Sequence, residues 1–304
     1  MSLTLYIVRH GERLDQVDPT FAYTSPSPYD PPLTDIGKKQ ANKSGSYIHD
    51  LQLENVENQN NKLEYIIITS PFLRTTDTAI GIAEGIAAGS KKSDAAENIK
   101  RPFDIKLCID PSLSEWHTSI YFSNPVPNSI VTLRFDELHQ SFKNEEQKEQ
   151  KSFEVDWSYK PVSSELPKYP EGIQDVLTRC TSSMEHILEP YVKDISLNNN
   201  KDKDIVLIIV THGWCFNVIQ EACAKTSNWK NAEYCAVTRA RWIPKSENDN
   251  NAVQIIITED EDDNKNVRHD KPKLEALTKY GEFDLDIIST TNHLKGLSTN
   301  DEND

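Results

Sequence analysis

Residues 5–13 read LYIVRHGER, an apolar run from Leu5 to Val8 that stops on Arg9, His10 and Gly11, with a further cation at Arg13. A run of this kind predicts a buried strand, and its ending sets an imidazole in a corner lined with guanidinium groups. That pairing suits a nucleophile beside an anion, with phosphate as the expected guest. An Arg-His-Gly triplet arises by chance in roughly two of every hundred chains of this length, so its surroundings must decide.

The deciding company comes two hundred residues later. In DIVLIIVTHGW, the run Ile205 to Val210 also ends on a histidine and a glycine, His212 and Gly213. Ligands of parallel α/β sheets gather outside the carboxyl ends of strands where the strand order reverses, so two neighbouring strands of this kind bring their imidazoles together. Between them lies TSPFLRTTDTA: Tyr65 to Ile68 reads as a strand, Ser70 as a helix cap, Pro71 as the first turn, and Arg74 falls about one turn inside. A cation near a helix N-terminus opposes the helix dipole and gains most when an anion binds there.

Together these stretches resemble the histidine phosphatase superfamily, the fold of the phosphoglycerate mutases and many phosphatases. The resemblance rests on RHG, on PPLTDIGKKQA, on SPFLRTTDTA, on an acidic residue in a later loop, and on the second strand-His-Gly, and it covers most of residues 1 to about 240. It implies a three-layer α/β/α fold with a mostly parallel central sheet and cap insertions. It also makes Glu115 in DPSLSEW the acidic residue. RHGER followed by Leu14 and Asp15, with Glu-Trp in the later loop, is most similar to the phosphatase domain of the suppressor-of-T-cell-receptor-signalling proteins and to the insect ecdysteroid-phosphate phosphatase. A mutase carries serine where this chain has Arg13, and the acid phosphatases and phytases carry His-Asp where it has His212-Gly213.

The chemistry expected of such a site follows from the ester. A phosphomonoester dianion needs fixed donors for its non-bridging oxygens and a proton for its leaving oxygen. Arg9, Arg13, Arg74 and His212 would supply the donors, His10 the nucleophile through a neutral ring nitrogen, and Glu115 the proton. No metal and no cofactor is required. Glu84, Glu97, Asp110 and Glu137 compete with Glu115 for the acid role, while Asp15 and His117 are left to ordinary loop duties. Cys235 and Arg241 have the Cys-x5-Arg spacing of cysteine phosphatases, but CAVTRAR lacks the glycine such a loop needs and reads as a strand. The runner-up readings are a weakly catalytic or non-catalytic subunit of a larger assembly, since a related domain resembles part of a subunit of the fungal RNA polymerase III general transcription factor, and a phosphoglycerate mutase.

Composition bounds the rest. With 304 residues and 37% hydrophobic content, a single catalytic domain over residues 1–258 is expected, followed by an acidic, flexible tail over 259–304. Residues 245–304 hold 15 acidic and 7 basic side chains. A net charge of −15 opposes direct binding to nucleic acid or anionic membranes, which makes the site a local basic island. Five cysteines without a CxxC pair argue against a disulfide framework and against zinc, and the absence of an apolar leader or span predicts a soluble cytoplasmic protein, with a nuclear location also allowed. The expected partner is a phosphorylated substrate, either protein phosphotyrosine or a small phosphate ester.

The organisation is βα alternation. Helices are expected around Ala41, Tyr47, Ile48 and Leu51, around Val176 to Leu188, and over Phe216 to Cys223. NVENQNNK, SKKSDAAEN and NNNKDKD read as surface loops, and Val253 to Thr258 as a strand pairing with Cys235 to Ile243. Residues 118–170, which include KNEEQKEQK, show no sheet pattern and are expected to cap the site.

Overall fold

The computed structural model describes residues 1–54, 61–95, 102–142, 153–197, 202–224, 232–245 and 271–297. Its strands are β1 (Leu3–Arg9), β2 (Lys62–Thr69), β3 (Phe103–Ile109), β4 (Glu154–Val155), β5 (Lys203–Thr211), β6 (Val237–Pro244) and β7 (Gly281–Thr290). Two single-turn helices, α1 (Leu14–Val17) and α2 (Phe21–Thr24), precede α3 (Asp35–Leu53), α4 (Leu73–Ala95), α5 (Ser129–Ser141), α6 (Ile173–Ser196) and α7 (Gly213–Cys223). The seven strands form one sheet in the order β4-β3-β2-β5-β1-β6-β7. The pairings are parallel from β4 across to β1 and antiparallel where β6 and β7 complete the edge, so the expected mostly parallel sheet is present.

The long apolar runs are explained by the layers they separate. In β1, Leu3, Leu5 and Ile7 join one core with the buried faces of α6 and α7, while Tyr6 and Val8 join a second core with α3 and α4. In β5 the alternation is the same, Ile205, Leu207 and Ile209 on one side and Val206, Ile208 and Val210 on the other. Strands covered on both faces read as continuous hydrophobic stretches, which is why both were legible as strands. The chain crosses one face after β1 and β2 and the other after β5. The reversal therefore falls at the carboxyl ends of β1 and β5, with Arg9 opposite Thr211 in the ladder.

Helices α3 and α6 have local causes. Thr34 caps α3 by accepting from the Gly37 amide at 2.9 Å, and its own hydroxyl donates to Glu12 Oε1 at 2.7 Å. That second bond ties the PPLT stretch to the loop after His10. A Cβ on Gly37 would run into the Glu12 backbone, so the RHGE loop can settle on the start of α3 only over a glycine. Helix α6 presents Val176, Leu177, Cys180, Met184, Ile187 and Leu188 as one buried stripe, and the Asp175 carboxylate caps it by accepting from the Gly172 amide at 3.0 Å.

Several expectations need correction. Helix α4 starts at Leu73, and its first free amide donates at 2.7 Å to Asp30 Oδ1; Ser70 is not its cap, because the Ser70 hydroxyl is engaged by His212. Arg74 is consequently the second residue of the helix, inside its first turn. SKKSDA, expected in a loop, continues α4 to Ala95. Within 118–170, α5 and the two-residue strand β4 are present, and β4 pairs with β3. The stretch assigned to a flexible acidic tail supplies β7: Gly281 and Phe283 are buried, Glu282 and Asp284 face solvent, and Asp286 pairs with Arg239 at 2.6 Å and Arg241 at 2.9 Å across to β6. An alternation of acids with apolar residues had been hidden in the overall charge. The proposed strand Val253–Thr258 and the extreme end of the chain lie outside the described residues.

Helices α3 and α4 approach until backbone meets backbone, and a Cβ placed on Gly85 would penetrate the carbonyl of Asn42. Gly85→Ala should therefore lower the unfolding free energy by about 1–3 kcal/mol despite the better helix propensity of alanine, read as a reduced urea midpoint.

Candidate active site

The adjacency of β1 and β5 places His10 and His212 side by side, with ring centroids 5.5 Å apart and both rings fully buried. His10 Nδ1 lies 2.9 Å from the Gly11 carbonyl oxygen. A carbonyl can only accept, so the neutral ring carries its proton on Nδ1 and keeps a lone pair on Nε2, which has no partner. His212 is oriented from the opposite side: its Nε2 is hydrogen-bonded to Ser70 Oγ at 2.8 Å, while Nδ1 has no hydrogen-bond partner and lies 3.7 Å from Glu115 Oε2.

Arg9 and Arg74 close the cluster. Arg9 donates through Nη1 to the Ala232 carbonyl and stacks on Tyr234, its Cζ 4.5 Å from the ring centroid; Nε is buried without a partner. Arg74, 1% exposed, stacks on Phe72 at 4.5 Å, and its Nε is likewise unpartnered. Neither guanidinium has a carboxylate in salt-bridge contact among the described residues. Burial lowers the pKa of Arg9 and pulls that of Arg74 down to about 10, with the charge of Arg13 adding to the effect on Arg74. The same burial, reinforced by Arg74 and Arg9, drives His10 well below the ordinary histidine value. His212 shifts in the same direction through burial, then Arg74 and His10. Both imidazoles are thus neutral at physiological pH.

Above this floor opens a cavity of about 750 Å³, lined by Arg9, Arg13, Arg74, Glu115 and Gly213 together with the aromatic side chains of Tyr29, Tyr121, Phe122, Trp214 and Tyr234. The start of α7 at Gly213 gives it the positive end of a helix. Glu115 accepts from its neighbour's amide, Trp116 N, at 3.0 Å and is 9% exposed.

Of the residues selected from the sequence, Arg9, Arg13, Arg74 and Glu115 line this cavity, while His10 and His212 are fully buried behind its lining residues Tyr234 and Glu115, and their states differ. Arg13 lines it with its Nε and Nη2 edge already committed to Asp15, at 3.0 and 2.9 Å. Asp15 is thus a partner of the site and not an ordinary loop residue. His117 is buried against Phe72 and Phe122 and bonded through Nδ1 to the Pro167 carbonyl. The rivals of Glu115 have other employment: Asp110 accepts from Tyr159 Oη, Ser112 N and Val162 N, Glu137 pairs with Arg134, and Glu84 is exposed on α4; Glu97 lies outside the described residues. Cys235 sits in a turn before β6 at φ 51°, its thiol pushed up to about 12 by burial, and Arg241 is bound to Asp286 on the far edge. No phosphate loop joins that pair. Ser70, Phe72 and Tyr234 were missed, since a serine, a phenylalanine and a tyrosine carry no signal until the fold sets them against His212, Arg74 and Arg9. Among the described residues no group of histidine, cysteine and acidic side chains is arranged to hold a metal ion, and no helix is long and apolar enough to cross a membrane.

Comparison with known proteins gives the same direction. Residues 5–99 match the model of the histidine phosphatase superfamily (branch 1), which bears out the resemblance carried by LYIVRHGER, PPLTDIGKKQA and SPFLRTTDTA. Phosphoglycerate mutase-like protein 1 of Arabidopsis thaliana is 34% identical over 85 residues, which span 27% of this chain and 28% of that relative. Similar solved structures include the ecdysone phosphate phosphatase of Bombix mori, 17% identical, covering 78% of this chain and 88% of that one with a TM-score of 0.48. A mycobacterial glucosyl-3-phosphoglycerate phosphatase is 14% identical and covers 96% and 100%, with a TM-score of 0.46.

The depressed imidazoles carry a stability consequence. Unfolded chains protonate histidine from about pH 6.5 downward, whereas His10 and His212 remain neutral in the fold, so the unfolded state binds more protons and acidification weakens the fold. Each ring should contribute a loss of up to about 1.4 kcal/mol per pH unit below that point. Asp77, raised to about 6 by burial, works in the opposite sense. A urea midpoint that falls as pH is lowered below about 6.5, with nitrogen chemical shifts of neutral rings for both histidines at pH 6, is the expected result.

Proposed function

We propose that this chain is a phosphomonoester hydrolase that works through a phosphohistidine on His10. The observation that carries the reading is the set of buried, unpartnered polar atoms Arg9 Nε, Arg74 Nε, His10 Nε2 and His212 Nδ1 around one cavity floor. Leaving such groups without hydrogen bonds costs about 1–3 kcal/mol each, more for charged ones, and a dianionic ligand with three terminal oxygens would satisfy the donors among them together, while the His10 Nε2 lone pair faces phosphorus.

The reaction follows from the tautomers. His10 Nε2 attacks phosphorus in line with the ester oxygen, and the Nδ1 proton held by the Gly11 carbonyl supports the positive charge that develops on the ring. Arg9, Arg74 and His212 Nδ1–H donate to the non-bridging oxygens, while Arg13, half committed to Asp15, adds charge more than hydrogen bonds. As the P–O ester bond breaks, Glu115 delivers its proton to the departing alcohol. The carboxylate so formed takes a proton from water, the hydroxide attacks phosphorus, the N–P bond breaks, and inorganic phosphate leaves with Glu115 reprotonated. The aromatic walls of the cavity fit either a phosphotyrosine in a protein or a small phosphate ester with an apolar alcohol. Tyr121 and Phe122, from the stretch 118–170, form part of those walls, in keeping with a cap that selects substrate.

The native protein should hydrolyse p-nitrophenyl phosphate in the presence of chelator, His10→Ala should lose about 10³-fold or more, and Cys235→Ser should stay within a few-fold of native. Loss of activity in chelator would contradict the metal-free chemistry. Interconversion of phosphoglycerates without aryl phosphate hydrolysis would establish a mutase. A folded protein inert toward both classes would favour the assembly-subunit reading.

A further inference from the structure

We infer that Arg179 is a positioning residue for Glu115, an inference that rests on reading Glu115 as the proton donor. The Glu115 side chain has little of its own to aim it: one oxygen is bonded to the adjacent amide, and the other lies 3.7 Å from an imidazole nitrogen. Its direction is therefore set by the backbone that carries it. That backbone converges on a single guanidinium. Arg179 reaches from α6 to donate through Nη1 to the carbonyls of Ser112 at 2.8 Å and Ser114 at 2.9 Å, and through Nη2 to that of Glu115 at 3.3 Å.

The guanidinium is itself held. Glu171 accepts from its Nε at 2.7 Å and from Nη2 at 2.9 Å, and the Glu171 side chain is 3% exposed. Glu171 also governs the residues after Glu115: its carboxylate accepts from the His117 amide, its own amide donates to the His117 carbonyl, and its carbonyl accepts from Trp116 Nε1. The acid is thus bracketed, with Arg179 fixing the residues up to it and Glu171 fixing the two that follow. The Arg179 donors are committed to Glu171 and to the carbonyls of Ser112, Ser114 and Glu115, so it acts through Glu115 and not on substrate. Three backbone acceptors and a bidentate carboxylate on one side chain need the planar five-donor fork of arginine, which lysine cannot reproduce.

The pair makes a distinguishable prediction, because in kcat/KM, which reads the steps up to the phosphohistidine and not its hydrolysis, a displaced acid hurts only esters that need a proton. The measurement is kcat/KM for p-nitrophenyl phosphate, whose leaving group departs unaided, and for benzyl phosphate, whose alkoxide does not, in the native protein and in Glu115→Gln, Arg179→Lys and Glu171→Gln. Arg179→Lys should lose about 10- to 100-fold on benzyl phosphate and less than about 3-fold on p-nitrophenyl phosphate, with inhibition by inorganic phosphate unchanged. Glu171→Gln should show the same bias, and it carries the test alone if Arg179→Lys does not fold. Equal losses on both esters, or none, would reduce the pair to a structural role and overturn the inference. A biased loss in Glu115→Gln without one in the other variants defeats the positioning role alone; no bias in Glu115→Gln removes the acid assignment and the inference with it.

Discussion

The parallel pairing of β1 with β5 is the constraint on which the rest depends. Neighbouring strands lie about 4.8 Å apart, so two strands that end in step deliver their next residues to contact distance, and the imidazoles meet at 5.5 Å. Nothing in the apolar alternation enforces that step, because both faces of both strands are hydrophobic and a slip of one residue would still bury them. The register is pinned at its ends by polar groups. Asp204 accepts from the amide and the hydroxyl of Ser2 at the start, and at the finish the His10 amide donates to the Thr211 carbonyl while Thr211 Oγ1 donates to that of Leu113.

This geometry gathers like charges in a low-dielectric place. The protein answers with π faces instead of carboxylates: Tyr234 beneath Arg9 and Phe72 beneath Arg74 stabilise the cations without neutralising them, each by roughly 0.5–2 kcal/mol. A carboxylate in salt-bridge contact would have compensated better and also filled the fork that an anion needs. Arg13 shows the alternative, one edge of its fork already filled by Asp15. In a chain of net charge −15, the cations of this pocket make it a local basic island.

How much of this was legible depended on whether the signal was local. The catalytic strands were readable because burial on both faces leaves an unbroken apolar run, and α6 because its stripe repeats at helical spacing. The roles of Arg9, Arg74 and Glu115 could be proposed only through motif company. Ser70 was misassigned because a serine before a proline is a good helix cap, and only the fold brings an imidazole to it from 142 residues away. The commitment of Arg13 to Asp15 was hidden although the two are two residues apart, since the same spacing serves equally a solvated loop. Glu171 and Arg179 were invisible because their partners are mostly backbone carbonyls and amides, which have no sequence signature. β7 was missed because its apolar positions alternate with acids inside an acidic stretch.

That last strand gives the fold an order in time. β6 is held on one side by β1, and its other ladder edge is covered by β7, which a ribosome delivers about forty residues later. Until residues 281–290 emerge, a growing chain carries an open row of amides and carbonyls beside its finished parallel core, the kind of edge that recruits foreign strands. At ordinary translation rates of about 5–20 residues per second, that exposure lasts a few seconds in every round of synthesis. The acidic residues of β7 are then also gatekeepers, keeping the late strand itself from pairing with a neighbour before it finds its own sheet.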